Sequence, residues 1–521
     1  MALVWSTVDV RYRFRISCAP LPLEKLTFWV VSTVGILTAF TDLWRAEGWF
    51  VPCGKLLTPN SWQTLLAMTL LIAFLSWAWF AFIRPPIFGR INARRYMQAL
   101  YKSVIKGNPA ELSVVADELS RSAKSLVSHA TDLSNTKKTN TRKHIKYNTY
   151  ADEILLLIAD NRLCKSIVDN APHTALLLFL EITEQSKQGV DIKIFAKNIV
   201  GQALLNKNSF IYHELTGYDT GLMGYEKPVT VTIFSDPKTV EQQGSLFDQN
   251  FQTMRKWDSE QWDAYCRMLL ISFESSIEFN IWHSPSYLLR ALDKIAMSLS
   301  GLYSLNGINN SWESNESKQL TVAMDFLMKC MEITNKHPIP KGIYIKLPKD
   351  NPHQYKTIHD HLAETLLKVI YSVSHIRSPR WECWNYQHNM VWSKIFSSES
   401  SESKSSKIIK SKLRRLIYNE ISKLEKTPNY KGATILAFLL NVTSLNSREK
   451  GRLNRANWPL KKVVRAWIKK NYMTLHNSDP KLTTGLLAEG VNLDLEHKRL
   501  IKKFPESGLR KKIHYTYIQL N

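Results

Sequence analysis

The chain has 521 residues, with 69 Lys and Arg against 45 Asp and Glu, a formal net charge of +24. It is 44% hydrophobic and 11% aromatic, which excludes wholesale disorder, and 19 Gly with 20 Pro exclude a collagen-like or low-complexity architecture. The length calls for roughly two to four compact units, and Cys18, Cys53, Cys164, Cys266, Cys330 and Cys383 lie too far apart for a zinc ribbon or a dense disulfide framework.

The charge is unevenly spread. Residues 1–85 hold seven Lys/Arg and four Asp/Glu, residues 86–403 hold 36 and 33, and residues 404–521 hold 26 and 8. Such asymmetry points to an anionic partner for the C-terminal part: nucleic acid, anionic lipid or an acidic protein surface. The plainer alternative is a solvated basic exterior that keeps the protein soluble.

In chain order, a cytoplasmic leader (1–24) precedes a transmembrane hairpin (25–84). Residues 26–41 and 62–83 carry no charge. A run of about 20 apolar residues crosses a hydrocarbon core of ~30 Å as a helix. The second run meets that length unaided. The first reaches it by including Leu43 and Trp44, with Asp42 at the headgroups, so the expected spans are 26–44 and 62–83. Trp29, Trp44, Trp62 and Trp79 near their ends suit interfacial belts. A signal peptide is disfavoured because Arg11, Arg13 and Arg15 lie far upstream and no A-x-A-like site follows; a buried soluble hairpin is the other alternative.

The leader holds Arg11, Arg13, Arg15 and Lys25, and Arg84, Arg90, Arg94 and Arg95 follow the second span, whereas the link between the spans is balanced. The positive-inside rule then places both termini in the cytoplasm. No ionisable residue lies at mid-depth, which argues against an ion-coupled transporter. Ser32, Gly35 and Ala39 form a small-residue spacing that permits close membrane helix contact.

Arg84-Pro85-Pro86 ends the second span, and a helical cytoplasmic body follows over 85–396. Asn108-Pro109-Ala110-Glu111 is a capped helix start. Further helices are expected at 149–171, 174–188, 258–281, 285–304, 317–335 and 355–376, and strands at 190–195, 229–234, 342–347 and 512–520. Polar, Gly-rich and Ser-rich stretches at 134–146, 216–226 and 397–406 read as joints, the last as a flexible linker before a basic helical C-terminal domain (407–521). The expected fold class is mainly α: a two-helix transmembrane hairpin and a large helical region with a few short strands.

After the linker, Ile409, Leu413, Leu416, Ile417, Ile421 and Leu424 fall on one helical face, with Lys407, Lys410, Arg414 and Arg415 mostly elsewhere. A second basic helix carries Leu460, Val463, Val464, Trp467 and Ile468 with Lys461, Lys462, Arg465, Lys469 and Lys470. A third cluster includes Lys502, Lys503, Lys511 and Lys512. These cations are the candidate contacts to an anionic partner, where neutralised phosphates would give salt-sensitive binding.

No P-loop, nucleophile elbow or kinase motif set occurs, so no catalytic or cofactor-binding residue is assigned and no cofactor is expected. His353, His359, Asp360, His361 and Glu364 form the densest ligand-type cluster. His359 and Asp360 would point to different faces of a helix starting near Pro352, so no metal site is assigned; a membrane-bound metal-dependent hydrolase using His353, His359 and Asp360 is the least favoured of three readings.

The layout resembles the two-span membrane effectors of bacterial anti-phage systems, including those paired with retrons or cyclic-nucleotide signalling. The resemblance rests on the spans and the order of parts, with no diagnostic motif. It implies an effector of abortive infection at the bacterial inner membrane, with the lipid bilayer as a partner, a homo-oligomer when active, and a regulatory protein or a nucleic-acid-containing complex as the source of control. A membrane-tethered nucleic-acid-binding or scaffold protein is the alternative.

Overall fold

The computed structural model describes residues 9–49, 58–133, 146–214, 229–243, 246–283, 285–340, 343, 345, 356–397, 403–426, 429–443, 452–481, 483, 487, 490–504 and 514–521. The described residues are mainly helical, with two apolar helices near the N-terminus, a large helical region after them and one three-stranded sheet near the C-terminus. The contacts divide the chain into two units, 1–246 and 247–521.

The first unit begins with α1 (Val10–Ser17), then the apolar pair α2 (Leu23–Ala46) and α3 (Pro59–Ala78), which runs into a π-helical turn over Trp79–Ile83. Its body is built from α4 (Ala93–Lys106), α5 (Pro109–Ser120), α6 (Ala123–His129), α7 (Lys146–Leu157), α8 (Asn161–Asn170), α9 (Pro172–Glu184), α10 (Lys193–Leu205), α11 (Val229–Phe234) and α12 (Pro237–Gln243). The Asn108 side chain accepts from Glu111 N at 2.8 Å with Pro109 in the first turn, as the sequence predicts. α5 packs on α8 and α9, and Leu112, Val115, Leu163, Ile167, Leu178 and Phe179 form core there. Each such buried side chain contributes about 1.5–3 kcal/mol.

Three expectations in this unit change. The helix expected at 149–171 is two helices, because Asp160 ends the first and caps the second by accepting from Arg162 N and Leu163 N. The strand expected at 190–195 is a short connection followed by α10, where Phe195, Ala196 and Ile199 bury with helical spacing. The strand expected at 229–234 is α11. There the Glu214 carboxylate accepts from Val229 N, Thr230 N and Thr230 Oγ1 at 2.6–3.0 Å, capping a helix that buries Val229, Thr230, Ile233 and Phe234. Tertiary capping and packing override the β-branched alternation. Of the joint expected at 134–146, residues 134–145 lie outside the described residues and Lys146 opens α7; the joint at 216–226 also lies outside them.

The second unit holds α13 (Ser259–Glu278), α14 (Ser286–Ser298), α15 (Asn315–Lys336), α16 (Ile358–Val373), α17 (Arg380–Trp384) with a π-helical continuation over Asn385–Ser393, α18 (Lys404–Lys426), α19 (Tyr430–Val442) and α20 (Arg452–Ser478). α13 lies along α15, and α18 packs on α15, α16, α19 and α20. Strands β1 (Val491–Asp494), β2 (Arg499–Phe504) and β3 (His514–Gln519) form an antiparallel sheet in that order, with Leu500 opposite Ile518. The end of the chain is therefore not all helical as expected: Leu500 and Lys502 turn inward while Lys503 is exposed, the period-two pattern of a strand. The tail strand expected at 512–520 is present as β3, whereas most of 342–347 lies outside the described residues.

The Ser-rich composition of 397–406 predicts a flexible linker, but the start of α18 at its C-terminal end is held by its neighbours. Ser406 N donates to Asn335 Oδ1 at 3.1 Å, and Ser405 Oγ lies 2.7 Å from His359 Nε2. Of the expected linker, residues 398–402 lie outside the described residues.

Candidate functional site

The two apolar helices pair side by side. α2 has 24 residues and α3 with its π turn has 25, each about 36 Å long at 1.5 Å per residue. Their mean hydropathies are 1.5 and 2.1, and only 6% and 17% of the apolar windows are buried. A helix at the core of a soluble protein would be mostly covered. Here Phe28, Trp29, Ile36, Phe40, Leu71, Ile72, Phe74 and Leu75 all point outward. Two apolar helices of spanning length near the N-terminus are compatible with a membrane location.

Several hydroxyls along the hairpin are satisfied within it. Thr38, Thr69 and Ser76 hydroxyls donate to the carbonyls four residues back at 2.7–2.9 Å, as a hydroxyl must where no water is at hand. Charges gather at the far end. There Gln63 Nε2 donates to Asp42 Oδ1 at 3.0 Å, and Arg45 Nη2 donates to Asn60 Oδ1 and Gln63 Oε1, both at 2.7 Å.

The near end is locked to the body. Arg15 of α1 is buried and donates from Nε and Nη2 to both oxygens of Glu118 on α5, at 3.0 and 2.6 Å. Its Nη1 donates to the carbonyl of Ala81 in the π turn at 2.8 Å. The hydrogen bonds it donates to Glu118 raise the Arg15 pKa against the opposing effect of burial, so the guanidinium stays charged. The cation sits where the second helix ends, answering carbonyls that a helix terminus leaves open. Ile16, Ala19, Leu23 and Ala81 pack around it, flanked by Tyr12, Trp77 and Phe80. Asn92 Nδ2 donates to Cys18 O and Ile87 O at 2.9 Å, and Arg95 Nη1 to Pro20 O at 2.6 Å.

No known protein family, curated protein or solved structure matches the chain. The site is therefore read from its own geometry.

The small residues do not form the seam of this hairpin. Ser32 is half-buried, Gly35 and Ala39 are exposed, and a Cβ added at Gly35 would meet nothing within 4 Å. The residues that the two helices bury are Thr41, Leu66 and Ala73 beside Leu23 at the base.

The basic residues fall into two groups. Lys407, Arg415, Lys462, Lys469, Lys470 and Lys503 are exposed. Lys410, Lys461 and Lys502 are buried, and Arg414 and Arg465 are half-buried. Arg414 Nε donates to Asn457 Oδ1 at 3.0 Å and lies over the Phe396 ring, and Lys502 Nζ donates to the carbonyl of Asn441 and lies 4.9 Å from the centre of the Trp384 ring. Burial lowers the Lys410 pKa to about 8, helped by nearby Arg414. Buried cations of this kind are built into the fold and are not a surface for a large anion. Lys511 and Lys512 lie outside the described residues.

The histidine cluster is likewise internal. His359 is buried, stacks on Trp282 and bonds Ser405; burial, then the charge of Lys412, lowers its pKa to about 4. Asp360 accepts from Thr357 N and Oγ1 in a capping box, and accepts from Lys412 Nζ at 2.5 Å. His361 and Glu364 face a separate surface depression with Asp293 and Lys368. Among the described residues no three His, Cys, Asp or Glu side chains are placed to hold a metal ion, and His353 lies outside them.

Proposed function

We propose that the chain is a membrane-anchored effector: a cytoplasmic body holds a two-helix hairpin in the bacterial inner membrane and, when triggered, makes that hairpin perturb the membrane in anti-phage defence. The observation that carries the reading is the outward apolar surface of α2 and α3. Ten or so large apolar side chains moved from water to lipid supply on the order of 15 kcal/mol or more, enough to hold the helices in a bilayer. Arg84, Arg90, Arg94 and Arg95 at the base favour both termini in the cytoplasm. Two helices enclose no pore by themselves, so a leak requires several copies. The Arg15–Glu118–Ala81 junction is where a rearrangement of the body would reach the spans. The defence role is supported only by the likeness in layout to two-span effectors.

The test is to express the protein with its neighbouring genes and follow membrane potential after infection. Depolarisation that depends on both spans is the expected result, and unchanged polarisation would sink the effector reading. A second reading, a membrane-tethered nucleic-acid-binding protein, is favoured by the exposed Lys462, Lys469, Lys470 and Lys503. It requires DNA or RNA binding by the solubilised full chain that weakens steeply with salt.

A further inference from the structure

We infer that the base of the hairpin forms a collar that binds anionic phospholipid headgroups and seats the first unit on the membrane surface. This inference rests on the reading of α2 and α3 as membrane spans.

Placement comes first. The segment after the second span is tied to the segment before the first: Asn92 bonds the Cys18 carbonyl and Arg95 the Pro20 carbonyl. α2 starts at Leu23 and the π turn ends at Ile83, so residues 84–95 lie at the level where both helices leave the body. On the spanning reading that level is the membrane–water interface.

Exposure is the second observation. Within this segment Phe88 and Ala93 are buried, but Ile91 is 86% exposed and Ile87 is 54% exposed. Leu21, in the segment before the first span, is also exposed. Large aliphatic side chains held out beside a membrane exit gain nothing from water but insert favourably among headgroups and acyl chains.

Charge is the third. No Asp or Glu occurs between Ile83 and Glu111, a stretch that holds Arg84, Arg90, Arg94, Arg95, Lys102 and Lys106. Arg84, Arg90 and Arg94 are exposed and alternate with the exposed isoleucines, and Arg95 donates to the Pro20 carbonyl. In the segment before the first span, Glu24 offsets Lys25. A guanidinium matches a phosphate oxygen pair bidentately. The isoleucines decide between anionic partners: nucleic acid offers phosphates without hydrocarbon, and a lipid surface offers both.

Full-length protein is reconstituted into phosphatidylcholine vesicles carrying a minor fraction of spin-labelled phosphatidylglycerol or, in parallel, spin-labelled phosphatidylcholine. The immobilised share of each label is then measured at low and high salt. The wild type is expected to hold labelled phosphatidylglycerol preferentially, by about five-fold for each cation in reach of the surface, with the preference shrinking as salt rises. Arg84→Gln, Arg90→Gln and Arg94→Gln combined should abolish it, and the matching Arg→Lys triple should keep most of it. An inserted wild type that immobilises both lipids equally overturns the collar and leaves the anchor standing. A protein that fails to float with either vesicle removes the spans, and the collar with them. Tight binding of single-stranded DNA by solubilised protein, lost in the Gln triple, would overturn the assignment to lipid.

Discussion

A guanidinium that is only 6% exposed needs its charge answered, and in the first unit a carboxylate 103 residues away answers it. Removing one partner of such a pair strands the other in low dielectric at a cost of about 3–5 kcal/mol, while replacing both by apolar residues can be nearly neutral. Glu118→Gln is therefore expected to lower the thermal midpoint of the detergent-solubilised protein markedly, and Arg15→Met with Glu118→Leu to restore much of it. Equal midpoints for wild type and Glu118→Gln would show that the pair holds nothing. His359 supplies a pH signature. Its folded pKa of about 4 lies below the ordinary 6.5, so below 6.5 the unfolded chain binds a proton that the folded chain refuses. Stability should fall as pH drops from about 6.5 to about 4, by on the order of 3 kcal/mol from this group, which adds no further change below that. Glu364 acts in the next window. Burial raises its pKa, but hydrogen bonds from His361 and Lys356 outweigh burial and hold it at about 2, so its contribution is present above 4.5 and lost as pH falls toward 2. Denaturant titrations from pH 7 to pH 5 should show the His359 slope, and His359→Gln should flatten it.

At the scale of elements, the two apolar helices were the part most legible beforehand, because long uninterrupted apolar runs stand out in composition alone. The three-residue extension of the first helix back to Leu23 and the π-helical end of the second were not legible, since both depend on packing against α1. Helix periodicity in α18 and α20 was readable, but the fate of the cations was not. Lys410 stands three residues before Leu413 and seven before Ile417, on the buried face, and a lysine stem can follow that face inward. The Arg15–Glu118 pair left no local trace, because neither residue sits in a motif that names the other. The 229–234 helix was missed for the same reason: its cap, Glu214, lies outside the segment whose alternation suggested a strand. The spanning role itself makes an element-scale prediction. Ile36→Asp with Leu71→Asp places two carboxylates on outward faces of the helices, each costing roughly 2.5–3.5 kcal/mol at a helix centre in a bilayer. The double variant should be extracted by alkaline carbonate while the wild type stays with membranes. Retention of both would mean that these helices do not lie in hydrocarbon.

At the scale of the whole molecule, the proposed anchor makes a prediction about the two faces of the bilayer, and the cysteines read it out directly. Cys18, Cys164, Cys266, Cys330 and Cys383 are all buried, so a bulky maleimide should react slowly with each of them in the folded protein. Cys53 lies in the link between the two apolar helices, outside the described residues. If the positive-inside rule orients the hairpin through Arg84, Arg90, Arg94 and Arg95, that link faces away from the cytoplasm while the 438 residues after Ile83 face toward it. A membrane-impermeant maleimide added to spheroplasts, in which the outer face of the inner membrane is open to solution, should therefore label the wild-type chain, and Cys53→Ser should erase the label. After lysis the C-terminal part should become accessible to protease, and in intact spheroplasts it should be protected. Labelling that persists in Cys53→Ser, or protease access to the C-terminal part before lysis, would invert the topology. An inverted chain would put the Arg-rich base on the outer face, against the charge bias, and would remove the cytoplasmic route by which an intracellular trigger could act on the hairpin.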